Sequence, residues 1–329
     1  MKRLVTTRAF PRIHVTLIDL AGVTHRRYGG IGFALDAYPV EVECALSANN
    51  VVTTECQVAA RDEMDVKNLL DRLTSVLEAR FTACVRAVPP QHVGFGSKTA
   101  LLLAVATACN ALCGCPLAPN DLKKASGRGG TSGVGVNVFF LGGVVVDLGH
   151  PQTKHPAFAP SSAGSASYGP PVAARVPFPP QWTVHLFLPG GRRYAGGDEI
   201  AFFQENTPIP GDEARQVLAA VYHGILPAFL TQDFTLLKRA LLDVHATGFK
   251  RRELEGQAED VRQLLQILNQ QDDVAAGMSS MGPLVYAIAP ANVSVPAGDR
   301  AAERVAAAGV TCLGAREARN AGHERREAS

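Results

Sequence analysis

No stretch of this 329-residue chain is apolar for the length a membrane span requires, so no membrane partner is expected. Arg3 and Arg8 open the chain without a following apolar signal core, and the cytoplasm is the expected location. A surplus of one charge is also missing. The net charge is +2, which gives no footprint for nucleic acid. Seven cysteines are present but lack metal-binding spacing: Cys113 and Cys115 lie two apart, Cys109 lies four before Cys113, and no second pair follows. An odd count in a cytoplasmic chain argues for free thiols, and these three continue an apolar helix. No Ser-His-Asp or Cys-His arrangement stands out, and no internal repeat. What remains is 47% hydrophobic residues, ample for a core, in a length that allows one large domain or two moderate ones.

Three glycine-rich segments, each joined to an apolar element, carry the chemical signal. The densest is Ser126-Gly127-Arg128-Gly129-Gly130-Thr131-Ser132-Gly133-Val134-Gly135. Glycine lets backbone approach a ligand closely, Thr131 and Ser132 add hydroxyls, and Arg128 adds a planar charged fork suited to phosphate. The second, His92-Val93-Gly94-Phe95-Gly96-Ser97-Lys98-Thr99, opens a smooth helical run from Ala100 to Leu112. Backbone N–H groups at such a start, with the helix dipole behind them, cradle anions. It is not a Walker A loop, whose glycines stand four residues apart before Gly-Lys-Ser/Thr. The third, Gly277-Met278-Ser279-Ser280-Met281-Gly282-Pro283, leads into a strand-like Leu284 to Ala289. Together they point to a phosphorylated ligand.

Strands are expected at 12–20 and 32–35, flanking a basic turn-rich stretch at 24–30. A hairpin around Asn49-Asn50 is expected from Val40 to Leu46 and Val51 to Val58, then a helix at 65–79 and a strand at 81–88. A Pro/Ser/Gly/Ala-rich stretch at 151–180 reads as a boundary or lid. Beyond it come a strand at 182–188, helices at 212–229, 234–245 and 252–268, an Ala-rich helix near 299–308, and a polar tail from about 323. Strands, helices and strands again indicate an α+β protein of two lobes, 1–165 and 166–329.

The order of motifs resembles the GHMP kinase superfamily: Tyr28-Gly29-Gly30-Ile31-Gly32, then Gly94-Phe95-Gly96-Ser97-Lys98, then the loop from Met278 to Pro283. It is more similar still to the β-ribofuranosylaminobenzene 5′-phosphate synthase family. Arg12, His14, Asp19 and Leu20 match one family motif. Arg128 to Gly133, then Asp147, Gly149 and His150, match another, and Pro160-Ser161-Ser162 and the Gly-Met-Ser-Ser loop match two more. The resemblance covers nearly the whole chain. It implies a two-lobed GHMP-kinase-like fold and transfer of ribose 5-phosphate from phosphoribosyl pyrophosphate to a ring carbon of an aromatic carboxylate. Carbon dioxide and pyrophosphate leave, Mg2+ accompanies the pyrophosphate, and a homodimer is expected.

On that resemblance Gly94, Gly96, Ser97, Lys98, Thr99, Arg128, Gly129, Gly130, Thr131, Ser132 and Gly133 are expected to bind the donor phosphates, with the division between the loops left open. Lys98 would stabilise charge developing on pyrophosphate. Asp19 ends an apolar strand, where a carboxylate has little structural reason to be. It is expected to stabilise the ribosyl cation or hold magnesium, with Asp147 as a second metal ligand or a turn-closer. Arg26 is expected to bind a phosphate or the acceptor carboxylate, with a mutual Asp19–Arg26 salt bridge as the structural alternative. His14, His150, Lys154, Ser279 and Ser280 are expected on the acceptor side. Ring attack followed by decarboxylation needs no base to take a ring proton, which agrees with the missing dyad. Phe95, Lys98 and the helix end from Cys109 to Cys115 depart from the benzoate-using branch. They are expected to alter the wall near the loop, favouring an aminopyrazole dicarboxylate acceptor of C-nucleoside synthesis over a benzoate. An ATP-dependent small-molecule kinase and a non-catalytic regulator are the rival readings.

Overall fold

The computed structural model describes residues 3–152, 158–160, 169–296, 303, 305–306 and 309–328. In chain order its first half comprises β1 (Leu4–Ala9), β2 (Arg12–Asp19), β3 (Arg26–Ala34), β4 (Val40–Ser47), β5 (Val51–Thr54), α1 (Ala60–Leu77), β6 (Arg80–Ala87), α2 (Ser97–Leu112), α3 (Pro119–Ser126), α4 (Val134–Leu141), β7 (Val144–Asp147) and β8 (His150–Pro151). Its second half comprises β9 (Val172–Val176), β10 (Trp182–Leu188), α5 (Gly197–Asn206), α6 (Gly211–Ala220), a π-helical turn (Val221–Ile225), α7 (Leu226–Thr231), α8 (Phe234–His245), α9 (Gly248–Glu255), α10 (Glu259–Asn269), β11 (Ala275–Met278), β12 (Val285–Pro290), β13 (Thr311–Arg316) and β14 (Glu324–Ala328). The α+β class is as the sequence pattern implies.

Among the described residues the strands form three sheets, ordered β14-β1-β4-β6-β5, β2-β3-β7-β9 and β11-β12-β10-β13, with β8 paired to β3. Helix α2 is apolar on every side, and all of its positions from Ala100 to Leu112 are buried. A helix without a polar face belongs inside a protein, and this one packs on β1 and β4 beside α1. Helix α1 is amphipathic and buries Val66, Leu69, Leu70 and Leu73. The central core joins Ile13, Ile31 and Phe33 of the middle sheet to Val184, Tyr286 and Ile288 of the third. Each such large apolar side chain contributes about 1.5–3 kcal/mol on burial.

Several local expectations give way to long-range contacts. Strand β5 pairs in parallel with β6, so residues 40–54 are no hairpin. Asn50 explains the switch: its amide bonds Asp71 and Thr74 of α1 and accepts from Phe81 N–H, tying the turn to other elements. The basic stretch at 24–30 enters β3 at Arg26, and Tyr28 and Gly29 take positive φ inside that strand. The single helix expected at 252–268 breaks at Gly256, where a side chain would meet Phe202 and the Tyr194 hydroxyl. The polar tail is an edge strand on β1, with Glu324 paired to Arg8 and Glu327 to Arg3. Strand β9 pairs with β7 and β14 with β1, so two of the sheets hold strands from both sides of residue 165. The Ala-rich helix expected near 299–308 falls mainly outside the described residues.

Candidate active site

The three glycine-rich segments converge on one cleft. Its first half, about 750 Å3, is lined by Arg61, His92, Gly94, Gly96, Ser97, Lys98 and the turn at 194–196. Its second half, about 650 Å3, is lined by Thr99, Gly129, Thr131 and Ser132, with Leu17, Val136, Phe203 and Met281 as apolar wall. Arg12, Arg128, Glu199, Ser280 and Met281 line both halves, so the two are continuous.

In the first half, Gly96 precedes α2 at φ +71°, Gly94 sits at φ +119°, and a side chain on Gly94 would meet Ser279 O at 2.6 Å. Only glycine tolerates both the dihedrals and the approach. No side chain caps the start of α2, which keeps the anion-binding character of a helix N-terminus. The Lys98 ammonium is already partnered, by the Asp65 carboxylate and by Asp62 Oδ1 at 3.5 Å. Asp62 is fully buried and also accepts from Gln91 at 2.5 Å.

Arg12 and Arg128 meet where the halves join. Arg12 donates to the carbonyl of Gly94. Burial, then the neighbouring Arg128, pulls its pKa down to about 10, so it stays charged at neutral pH. Burial also lowers Arg128, whose Nε donates to Thr99 Oγ1 at 3.1 Å. Two carboxylates answer them. Glu199 opens α5. Glu253, on α9, is almost fully buried and ion-paired with the buried Lys250 at 2.5 Å. Burial pushes the Glu253 carboxyl up against the opposing pull of Lys250 and Arg12. Lys250 further donates to the carbonyls of Met278 (3.2 Å) and Ser280 (2.8 Å), anchoring the third loop.

A buried polar chain holds the densest loop in place. Asp147 accepts from Ser132 Oγ (3.1 Å), Gly133 N–H (2.8 Å) and Gly149 N–H (2.8 Å). Burial outweighs these bonds and raises its pKa to about 7. Ser132 Oγ also lies 3.1 Å from His14 Nε2. His14 is held well below the ordinary 6.5 by burial, then by Arg12 and Lys250, so its imidazole is neutral. Gly30 lets this pair approach β3: a side chain there would stand 2.7 Å from Ser132 Oγ and 3.0 Å from His14 Nε2.

The residues expected from sequence therefore divide. Gly94, Gly96, Ser97, Lys98, Thr99, Arg128, Gly129, Thr131, Ser132, His14 and Ser280 line the cleft. Gly130, Gly133 and Ser279 lie behind it. Ser279 Oγ donates to Gly94 O at 2.8 Å and accepts from His14 N–H at 3.1 Å, stitching two loops together. His150 is buried with Nε2 at 2.9 Å from Gly129 O, and so supports the loop rather than an acceptor. Asp19 lines neither half. Its carboxylate accepts from the N–H groups of Ala21 (2.9 Å), Gly22 (2.7 Å) and Thr24 (3.1 Å), closing a turn. Arg26 donates to the carbonyls of Leu148 (2.6 Å) and Gly149 (2.8 Å) and makes no salt bridge to Asp19. Both oxygens of Asp19 and of Asp147 accept hydrogen bonds from the chain itself, and neither residue lines either half of the cleft. Among the described residues no group of three or more His, Cys, Asp or Glu is placed to hold a metal. Lys154, Ser161 and Ser162 lie outside the described residues.

Phe95 does not form the wall by its loop, as its ring is buried in the core against Tyr38, 5.7 Å between centroids. Cys109 is buried, with Cys44 among its neighbours, while Cys113 and Cys115 end α2 away from the cleft. Sequence reasoning assigned no role to Arg12 and missed Glu199, Lys250 and Glu253. The available signals were Gly196-Gly197 before Asp198-Glu199, and the charge-dense start of α9.

The architecture defines the class first: this is a GHMP-kinase fold. It matches homoserine kinase from Cytophaga hutchinsonii with a TM-score of 0.66 at 16% identity, over 98% of this chain and 97% of that one. It matches mevalonate diphosphate decarboxylase from Staphylococcus aureus with a TM-score of 0.64 at 12% identity, over 99% and 98%. At such identities the likeness concerns the fold alone. No protein-family model matches the chain. Its sequence is 35% identical over 289 residues to beta-ribofuranosylphenol 5′-phosphate synthase of Archaeoglobus fulgidus, covering 88% of this chain and 89% of that protein. It is 34% identical over 294 residues to the protein of the same name from Methanothermobacter thermautotrophicus, covering 86% and 89%. The chain belongs to the β-ribofuranosylphenol 5′-phosphate synthase family, and is an enzyme of the pentosyl-transferring type.

Proposed function

We propose that this enzyme joins ribose 5-phosphate, drawn from phosphoribosyl pyrophosphate, to the carboxylate-bearing ring carbon of a hydroxybenzoate. Pyrophosphate and carbon dioxide leave. The observation that carries this reading is the two-part cleft. One half offers Gly94, Gly96, an uncapped helix start and Lys98; the other offers apolar wall from Leu17, Val136 and Phe203 with the carboxylate of Glu253; Arg12, Arg128 and Glu199 span the junction. The first half suits the phosphates of the donor, the second a flat ring. The relatives' name supplies the phenol product. The pyrazole acceptor loses most of its basis, because, of the three departures that favoured it, Phe95 and the Cys109 to Cys115 segment stand away from the cleft, and Lys98, which lines it, is held by Asp62 and Asp65.

Oriented side by side, donor and acceptor need little further covalent help from the protein. As the bond from ribose C1 to pyrophosphate breaks, Arg12 and Arg128 stabilise the charge of the leaving group, with Lys98 beside them between Asp62 and Asp65. The ring carbon attacks C1, and loss of carbon dioxide restores aromaticity. The test is incubation with labelled phosphoribosyl pyrophosphate and 4-hydroxybenzoate, 4-aminobenzoate or an aminopyrazole dicarboxylate. A carbon-linked product from 4-hydroxybenzoate is expected, with one carbon dioxide and one pyrophosphate for each bond formed. Product from the pyrazole alone, or a melting temperature raised by ATP rather than by phosphoribosyl pyrophosphate, would overturn the reading.

A further inference from the structure

We propose that Glu253 is the catalytic base of this site: it takes the proton of the acceptor's phenolic hydroxyl as the ring attacks, and returns it to the product. The proposal rests on the function argued above. Glu253 lines the acceptor half only, among Leu17, Val136, Phe203 and Met281, and is 4% exposed. One oxygen, Oε2, is fixed by Lys250 at 2.5 Å, while Oε1 takes no hydrogen bond among the described residues. Glu253 lines a space whose wall mixes Leu17, Val136, Phe203 and Met281 with polar groups such as His14 and Ser132, and a carboxylate held there by one oxygen is placed to accept a proton from a hydroxyl seated beside it. Glu199 is half-buried at the junction and lines both halves, so the carboxylate enclosed with the ring is the one assigned.

The step balances without a co-reactant. The phenolic O–H bond breaks and its proton passes to Glu253. The carbon bearing the carboxylate, para to the oxygen, forms the new bond to ribose C1 as the C1–O bond breaks, and pyrophosphate leaves with that electron pair. The bond to the carboxylate then breaks, its pair returns to the ring, and carbon dioxide departs. The phenolate left behind recovers its proton from Glu253. The charged groups facing Glu253 are Lys250 from its own helix, Arg12 from β2 and Glu199 from α5. Burial, which raises its proton affinity, makes it a stronger base than an exposed carboxylate.

The test compares E253Q with wild type on 4-hydroxybenzoate and its 3-fluoro and 3,5-difluoro derivatives, whose hydroxyls are progressively more acidic. With 4-hydroxybenzoate, kcat is expected to fall by about a hundredfold or more, the scale for losing a general base. The ratio of wild type to variant should shrink across the series and approach one for an acceptor already ionised at the assay pH. An equal loss on all three acceptors, the mark of a structural role, overturns the proposal, and so does no loss. E253Q leaves a buried ammonium without its partner, so K250M/E253Q, which removes both charges, is assayed beside it. Should neither fold, single-turnover rates of the wild type in D2O decide. A solvent isotope effect with 4-hydroxybenzoate that vanishes with the difluoro acceptor supports the proposal, and none with either refutes it. Failure of the wild type to use 4-hydroxybenzoate at all sinks the functional reading and this proposal with it. Normal wild-type turnover without the selective loss sinks the proposal alone.

Discussion

Asp147 should make this protein lose stability as pH rises from about 4 to about 7, the reverse of the usual behaviour of a hydrogen-bonded carboxylate. It is completely buried, and burial raises its pKa from 3.8 to about 7 in spite of bonds from Ser132, Gly133 and Gly149. Between those values the folded chain keeps a proton that the unfolded chain has released. Stability therefore falls with rising pH, because the native state binds more protons. The contribution is fully present below about pH 4 and gone above about pH 7. At about 1.4 kcal/mol per pH unit, the interval between the two values corresponds to about 4 kcal/mol. The Asp147→Asn variant has nothing to titrate at this position. Urea unfolding of both proteins at several pH values then isolates the group, since the other carboxylates titrate in each. The stability of wild type minus that of the variant should shrink by about 4 kcal/mol between pH 4 and pH 8. A difference that stays level would show that Asp147 keeps an ordinary pKa. A difference that grows with pH would show that the three hydrogen bonds outweigh burial, and would refute the reasoning.

Arg128→Met should raise the KM for phosphoribosyl pyrophosphate by roughly ten- to a hundredfold, the scale of a lost charge-assisted contact, and an unchanged KM would remove Arg128 from the donor site. Asp19→Asn should destabilise the fold by about 1–3 kcal/mol through the turn its carboxylate closes, with turnover per folded molecule largely kept. A hundredfold loss of kcat in a normally stable Asp19→Asn protein would restore the catalytic role that the sequence implied.

Elements whose cause is local were legible in the sequence. Strand β10 and helix α8 fall where apolar periodicity places them, at 182–188 and 234–245. Strand β5 escapes a local reading because Asn49-Asn50 carries a turn signal, while its pairing is decided by β6, about thirty residues on. Strand β14 looks like a tail in the sequence because its charges suit solvent. An exposed edge strand is charged for the same reason, and here the charges pair with Arg3 and Arg8.

The cleft itself shows why a motif reveals a site more readily than the role of each member. Glycines and hydroxyls announced the loops because closely approaching backbone has no cheaper composition. Asp147 and His150 travel with the densest loop as the groups that hold it, and Asp19 closes a separate turn at residues 21–24. Each is a polar side chain buried at a turn, where unmet backbone N–H or C=O groups would be costly. Sequence alone cannot separate a carboxylate that ties backbone from one that meets substrate, since both are acids set beside glycines. Glu253 shows the converse. In Lys250-Arg251-Arg252-Glu253 it reads as part of a solvated helix face, and α9 has a weak apolar pattern to say otherwise. The packing of α9 against α8, α6 and β2 encloses Lys250 and Glu253 together beside Arg12. A buried ion pair is costly to desolvate and is weak evidence for stability. Here the pair also holds the third loop through the Met278 and Ser280 carbonyls, and the E253Q comparison on acceptors of graded acidity separates that role from the proposed chemistry.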